Sequence, residues 1–451
     1  MTSRQRWILG LLTVVLLGVV STLGGVIWTT SQKMTSVSLL PTPTRRPTVI
    51  PSPTPSPHPS PTPTPFFATG QAGEIARDVA AARELLPRWE TPLTFVNTYD
   101  LSVVLYRRFQ EDPPFPLSSQ LTLQALGLWP LDSLSPDPVV QAQKVAALYS
   151  PTDEQIYLRR DWTGSAEVVA AQVAYGYAQA LPEQHGNLPR LREEPSSLDR
   201  RLALEAVAAG DAWITFARYA GQAVTAEPPK TLLDTLPVWP AGTPLVTQLN
   251  QLPWEIGQQF AATLYRAEGF AALDEVLRRP PHTTEQLLHP AEYQEYGDFV
   301  AFDPLEPAIT HGWNPAHTET VGQAVMRFAL DQWSTVPLTS TTAEGWNGDL
   351  LQLWLGPQNK KVVLWQTAWD SRLQAMNFDQ EVSKLLPHQV RDLTTVSSRP
   401  AGLPSGTWWA NRWGAAFVYR YFDHVWLVWG DDATLVADVA TAISRVRSVQ
   451  K

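Results

Sequence analysis

Between Pro41 and Pro65 the chain places 11 prolines and 9 serines or threonines in 25 residues. Each proline fixes φ and removes a backbone donor, so neither a helix nor a ladder of paired strands can cross the stretch. It reads as an extended polyproline-like spacer, reaching roughly 75 Å at about 3.1 Å per residue. No residue upstream of it is therefore expected to share a core with the residues downstream. Upstream lies Trp7 to Trp28, a run of 22 residues without a charge. As a helix it would span roughly 33 Å, enough to cross a bilayer. Arg4 and Arg6 precede it and Trp stands at each end, which predicts a single-pass anchor with a cytoplasmic N-terminus and extracytoplasmic globular parts. The expected division is an anchor over 1–30, a linker over 31–69, a helical domain over 70–335 and a second domain over 336–451.

Composition closes several functional classes. There is no cysteine, so disulfides, thiolate nucleophiles and Cys-based metal sites are excluded. Net charge is −9 and the isoelectric point about 5.4, which predicts no nucleic-acid partner. No Gly-x-Ser-x-Gly elbow, Gly-x-Gly-x-x-Gly or phosphate-loop pattern occurs. Acidic pairs such as Glu111-Asp112, Glu193-Glu194 and Asp431-Asp432 read as solvated loops or caps.

From Gly70 the pattern becomes globular. Helices are expected over 72–86, 97–109, 117–128, 165–181, 198–219, 253–268 and 271–278, with Pro182 ending the fourth and Pro253 opening the sixth. Short strands at 145–148 and 155–158 flank the turn Ser150-Pro-Thr-Asp153. Thr283 and Gln286 form a capping box for a short helix before Pro290, and a helix is expected over 318–333. Beyond it the period changes. Strands at 345–355 and 361–369, a helix at 373–386, a hairpin of 408–421 with 425–429, and a helix at 434–446 predict a β-β-α-β-β-α sheet with two helices on one face. Many of the 19 tryptophans fall here and read mainly as core between sheet and helix.

Val173-Ala-Tyr-Gly-Tyr-Ala-Gln-Ala-Leu-Pro-Glu-Gln-His185 resembles the metal-binding helix of gluzincin-like His-Glu-x-x-His metallopeptidases, in an exported, uncharacterised bacterial group. In that group the helix looks like Val-x-His-Glu-Tyr-x-His-Ala-Leu-Gln-Asp-Gln-His. Two His one turn apart grip zinc and the Glu serves as general base. The resemblance puts Tyr175 at the first His, Gly176 at the base and Gln179 at the second His, so the motif becomes Tyr175-Gly-Tyr-Ala-Gln179. Ala208-Ala-Gly-Asp-Ala212 resembles the segment carrying the third ligand, with Ala209 at the Glu position. Val145 to Leu158 resembles the hairpin before that helix, and Thr283-Thr-Glu-Gln-Leu-Leu-His-Pro290 a signature after it. Trp346, Gly348, Asp349, Trp369 and Asp370 resemble the group's C-terminal domain.

The resemblance implies an α+β protein: a mostly helical metallopeptidase-like domain with a short β-hairpin, then the small sheet module. A phenol, a neutral amide, a glycine and an alanine cannot replace two imidazoles and two carboxylates around zinc. The eight histidines offer no substitute set, so no metal, cofactor or catalytic residue is expected. Glu183, His185, Asp211, Glu285 and His289 are the candidates for a residual polar site. The expected function is a membrane-anchored pseudo-metallopeptidase that acts as a binding, scaffold or interaction protein. A protein, peptide or cell-wall component would be its partner. The alternative is a hydrolase with a rearranged site drawn from the same polar residues.

Overall fold

The computed structural model describes residues 69–446, except 133, 195, 226, 292, 294–298, 307–312, 336–339, 391–392 and 397–398. The chain divides into two compact units, 1–62 and 63–451, and every described residue lies in the second. The expected anchor and spacer, with His58 and His311, fall outside the described residues. Among those described, no helix is long and apolar enough to cross a membrane.

The first part is mostly helical. Helix α1 (Thr69–Arg83) leads to strand β1 (Leu93–Val96), α2 (Thr98–Glu111), α3 (Leu117–Ala125) and α4 (Pro138–Lys144). Strands β2 (Ala147–Ser150) and β3 (Gln155–Arg159) come next, then α5 (Ala166–His185), α6 (Leu188–Glu193), α7 (Leu198–Tyr219) and α8 (Lys230–Leu233). Helices α9 (Pro244–Glu268), α10 (Phe270–Arg278) and α11 (Thr284–Leu288) complete it. Side chains close the exposed N–H groups at the helix starts: Asn97 accepts from Asp100 N, Asp137 from Val139 N and Val140 N, and Ser165 from Val168 N. Thr283 and Gln286 do form the expected capping box. The expected hairpin is part of a three-stranded sheet, because β1 pairs in parallel with β3 on the side away from β2.

Two prolines expected to bound helices sit inside them instead. Pro182 forfeits one hydrogen bond, yet α5 continues to His185, where the Gly186 amide bonds the Pro182 carbonyl. Leu181, Pro182, Glu183 and Gln184 are all buried there, so packing holds the last turn. Helix α9 starts at Pro244 and carries Pro253 internally. Helices α7 and α9 cross at backbone contact. A Cβ on Gly210 would lie 2.3 Å from the Gly257 carbonyl oxygen, and one on Gly257 2.0 Å from that of Ala206. Only glycine at both positions permits this approach.

The second part is built on a seven-stranded antiparallel sheet. It is formed by β4 (Asn314–Glu319), β5 (Trp346–Leu355), β6 (Lys361–Trp369), β7 (Thr394–Thr395), β8 (Thr407–Asn411), β9 (Gly414–Tyr421) and β10 (His424–Gly430), in the order β4-β5-β6-β10-β9-β8-β7. Helices α12 (Gln323–Trp333), α13 (Arg372–Leu385) and α14 (Ala433–Val446) accompany it. Residues 318–319, expected to begin a helix, instead pair with β5, and the expected long strand at 408–421 is two strands turned at Arg412 and Trp413. The two later helices do not share a face. On β6, Val363, Trp365 and Trp369 pack with Phe378 and Val382 of α13, whereas Val362 and Leu364 pack with Leu435 and Val439 of α14. The strand period of two accounts for this outcome, since Val362 to Trp365 are all large and apolar and so both faces of β6 need cover. Trp346, Trp354, Trp365, Trp369 and Trp429 are fully buried, so these tryptophans are core.

The sheet is not separated from the helical part. One apolar cluster joins Leu123, Trp129, Val246 and Leu249 with Met326, Trp365, Phe378 and Trp429. The division expected at 335/336 cuts across this shared core, and the sheet starts upstream of it with β4.

Candidate functional site

A cleft of about 170 Å³ opens where α2, α5, α6, α7 and α9 meet. Its floor is set by helical spacing. Tyr175, Gln179 and Glu183 stand four apart on α5 and so share one face, as do Glu205 and Ala209 on α7. The walls come from Arg108 and Asp112 at the end of α2, Phe115 beyond it, Tyr149 of β2, Arg192 of α6, and Pro253 and Trp254 of α9.

Of the four positions that the resemblance assigns to metal chemistry, Tyr175, Gln179 and Ala209 line this cleft. Gly176 faces the other way, and a Cβ there would lie 3.1 Å from Ile156 of β3. The Tyr175 hydroxyl accepts a 3.2 Å hydrogen bond from Trp254 Nε1, and its ring meets Phe216 edge-on at 6.0 Å. Burial pushes its phenol up to about 12, so it stays protonated at neutral pH. The Gln179 side chain makes no hydrogen bond among the described residues.

One turn beyond these positions lies a charged clamp. Arg192 donates to both carboxylate oxygens of Glu183, at 2.6 and 2.8 Å, and through Nε to Glu205 at 2.7 Å. A single guanidinium therefore ties α5 to α7. Burial raises the Glu183 carboxyl above its ordinary value, more than Arg192 lowers it. Burial would raise Glu205 also, but the charge and hydrogen bond of Arg192 outweigh it and hold that carboxyl down. Arg201 meets Asp112 at 3.4 Å.

Arg108 differs from the other two arginines. Its guanidinium makes no hydrogen bond or ion pair among the described residues. Burial lowers its pKa, outweighing the attraction of Asp112 and Glu205. Tyr149 is 4% exposed, and its hydroxyl also has no hydrogen-bond partner among the described residues. Burial, then the charge of Glu183, raises its phenol.

The expected residual polar group does not come together. Only Glu183 reaches the cleft. His185 Nε2 bonds the Leu86 carbonyl at 2.9 Å. Asp211 lies buried against Arg83, which also reaches Asp274, each at 2.8 Å, and so joins α1, α7 and α10. Glu285 and His289 sit at α11, where His289 faces Glu344 at 3.3 Å. Among the described residues no group of three or more His, Asp or Glu side chains is arranged to hold a metal ion.

The clamp escaped the sequence reading. Arg192 lies in a six-residue helix that carries Pro189 in its first turn, too short for a periodicity to place it. Its partners carried a signal: Glu183 is one turn after Gln179, and Glu205 one turn before Ala209. Two acids at matching offsets on helices expected to pack imply a cation between them.

The family model described as "Domain of unknown function (DUF8575)" matches residues 310–445, the stretch from β4 into α14. The cleft lies outside that stretch. No curated protein and no solved structure matches the chain.

Proposed function

We propose that the chain is a membrane-anchored, extracytoplasmic relative of the zinc metallopeptidases that binds a ligand in this cleft rather than cleaving it. The observation that carries the reading is the Arg192 guanidinium between Glu183 and Glu205. In the peptidases a divalent cation would tie the two helices; here a guanidinium does so one turn away. The residues at the former ligand positions supply a protonated phenol, a neutral amide and a methyl group, none suited to activating zinc-bound water. What persists is a concave, part-apolar pocket with a few convergent polar groups, the ordinary form of a small-molecule or side-chain site. The apolar run at 7–28 and the proline-rich spacer support a tethered position outside the membrane.

The test uses the full chain in detergent. Its zinc content is measured after purification with zinc present, and cleavage of a quenched-fluorescence peptide library is followed with and without chelator. The expected result is no stoichiometric zinc and no chelator-sensitive cleavage. One equivalent of tightly held zinc with chelator-sensitive hydrolysis, lost on Glu183→Gln, would overturn the reading.

A further inference from the structure

We infer that the cleft recognises a carboxylate attached to an apolar body, with Arg108 as the group that receives the charge. This rests on the binding role proposed above and names its ligand chemistry. Three donors line one cleft without using their hydrogens among the described residues: the Arg108 guanidinium, the Tyr149 hydroxyl and the Gln179 amide. Arg108 is the telling member. A half-buried guanidinium pays for desolvation and normally recovers it through a paired acid.

The acids nearest to it are engaged elsewhere. Asp112 holds Arg201, and Glu183 and Glu205 hold Arg192. Tyr149 adds an independent observation, a side chain 4% exposed that lines the cleft and whose hydroxyl has no hydrogen-bond partner among the described residues. A carboxylate accepts from a planar guanidinium fork, a phenol and an amide together. Beside them Tyr175, hydrogen-bonded to Trp254, and Phe115 give an apolar wall. The 170 Å³ of space suits one ring-sized group, since cavities of about 150 Å³ accept benzene.

Two sources share this chemistry: a free small acid, and the C-terminal residue of a peptide chain. Calorimetric titration of the full chain in detergent uses 3-phenylpropionate against its neutral amide, and the tetrapeptide Gly-Gly-Gly-Phe against its C-terminal amide. For ligands of this size the expected dissociation constant of the acid is about 1–10 mM or tighter. Each acid that fits should bind at least about tenfold more tightly than its amide, the worth of one charge-assisted hydrogen bond. Arg108→Gln should remove that preference. Tyr149→Phe should weaken the acid several-fold and leave the amide unchanged, a readout that loss of packing would not reproduce.

Arg108 has no hydrogen-bonded partner among the described residues to abandon, so thermal melting of the Gln variant should match the parent and show that the fold is kept. Binding of the tetrapeptide acid assigns the site to chain ends, and binding of phenylpropionate alone assigns it to free acids; both uphold the inference. Equal affinity for acid and amide, indifference to Arg108→Gln, or failure of every acid to bind up to about 10 mM overturns it. That last outcome, without chelator-sensitive cleavage, leaves the binding role standing and removes only its carboxylate specificity.

Discussion

Replacing Arg192 by Ala should expose the clamp as the main polar link between α5 and α7. Glu183 is 6% exposed and loses two hydrogen bonds of 2.6 and 2.8 Å. Deleting one partner of a buried ion pair costs roughly 3–5 kcal/mol, because the other charge stays buried. Glu205 adds little, since its side chain is 44% exposed and water screens it. The cleft also admits water to Glu183, so about 2–4 kcal/mol is the expected loss at neutral pH. The loss should depend on pH with a fixed sign. Burial already raises the folded-state pKa of Glu183, and without Arg192 only the weaker attraction of Arg108 opposes that rise. A group with a raised folded pKa binds its proton more tightly in the native state, so its contribution is full below the unfolded value and is lost as pH rises through the folded one. The deficit of the variant should therefore be smaller near pH 5 than near pH 8. Urea denaturation followed by tryptophan fluorescence measures it, with the double change Glu183→Gln, Arg192→Gln as the neutral comparison, expected to lose less. A deficit below about 0.5 kcal/mol, the range of ordinary surface changes, or one that grows toward acid pH, would refute the reasoning.

Other parts of the molecule give three further outcomes. Gly257→Ala would set a Cβ 2.0 Å from the Ala206 carbonyl, so the helices must separate. Its thermal midpoint should fall, reflecting an overpacking cost of about 1–3 kcal/mol or more despite better helix propensity, while that of Gly73→Ala, with nothing within 4 Å, should not. Burial pushes the carboxyls of Asp199 and Asp349 up to about 7 each. Because these folded values lie above the unfolded one, stability from this pair is present in acid and lost as pH rises through about 7; Asp199→Asn with Asp349→Asn should flatten the slope of the urea midpoint between about pH 5 and 8. Protease added to intact protoplasts should cut within residues 41–65 and release a soluble fragment, whereas full protection of the chain would reverse the orientation.

Helices with a clear apolar period were legible, because α2 and α10 each turn one stripe of Leu, Val, Ala or Phe to the core. What failed was local punctuation that packing overrides. Pro182 and Pro253 read as boundaries, but neighbouring burial holds both inside their helices. The strand β4 contains Asn, Pro, His, Thr and Glu, so only its pairing with β5 reveals it. The doubly covered sheet was missed because an unbroken apolar run such as Val362 to Trp365 does not say where its two covers come from. Within the cleft, helical spacing was enough to align Tyr175 with Gln179. Arg108, Tyr149 and Arg192 arrive from three separate elements, and no spacing rule joins positions that far apart.

The most direct measurement concerns the geometry that links α5 to α7. Tyr175, Gln179 and Ala209 line one cleft, so Tyr175→His, Gln179→His and Ala209→Glu together should create three converging zinc ligands. Gly176 is best left alone, because a side chain there would press on Ile156. The triple variant carries new polar groups into a buried site and should be less stable than the parent without metal. Zinc titration with thermal melting should then raise its midpoint and show one bound equivalent, while the parent shows neither. A folded triple variant that binds zinc no better than the parent would mean that these positions do not converge as a metal site, and the proposed descent from a zinc peptidase would lose its structural support.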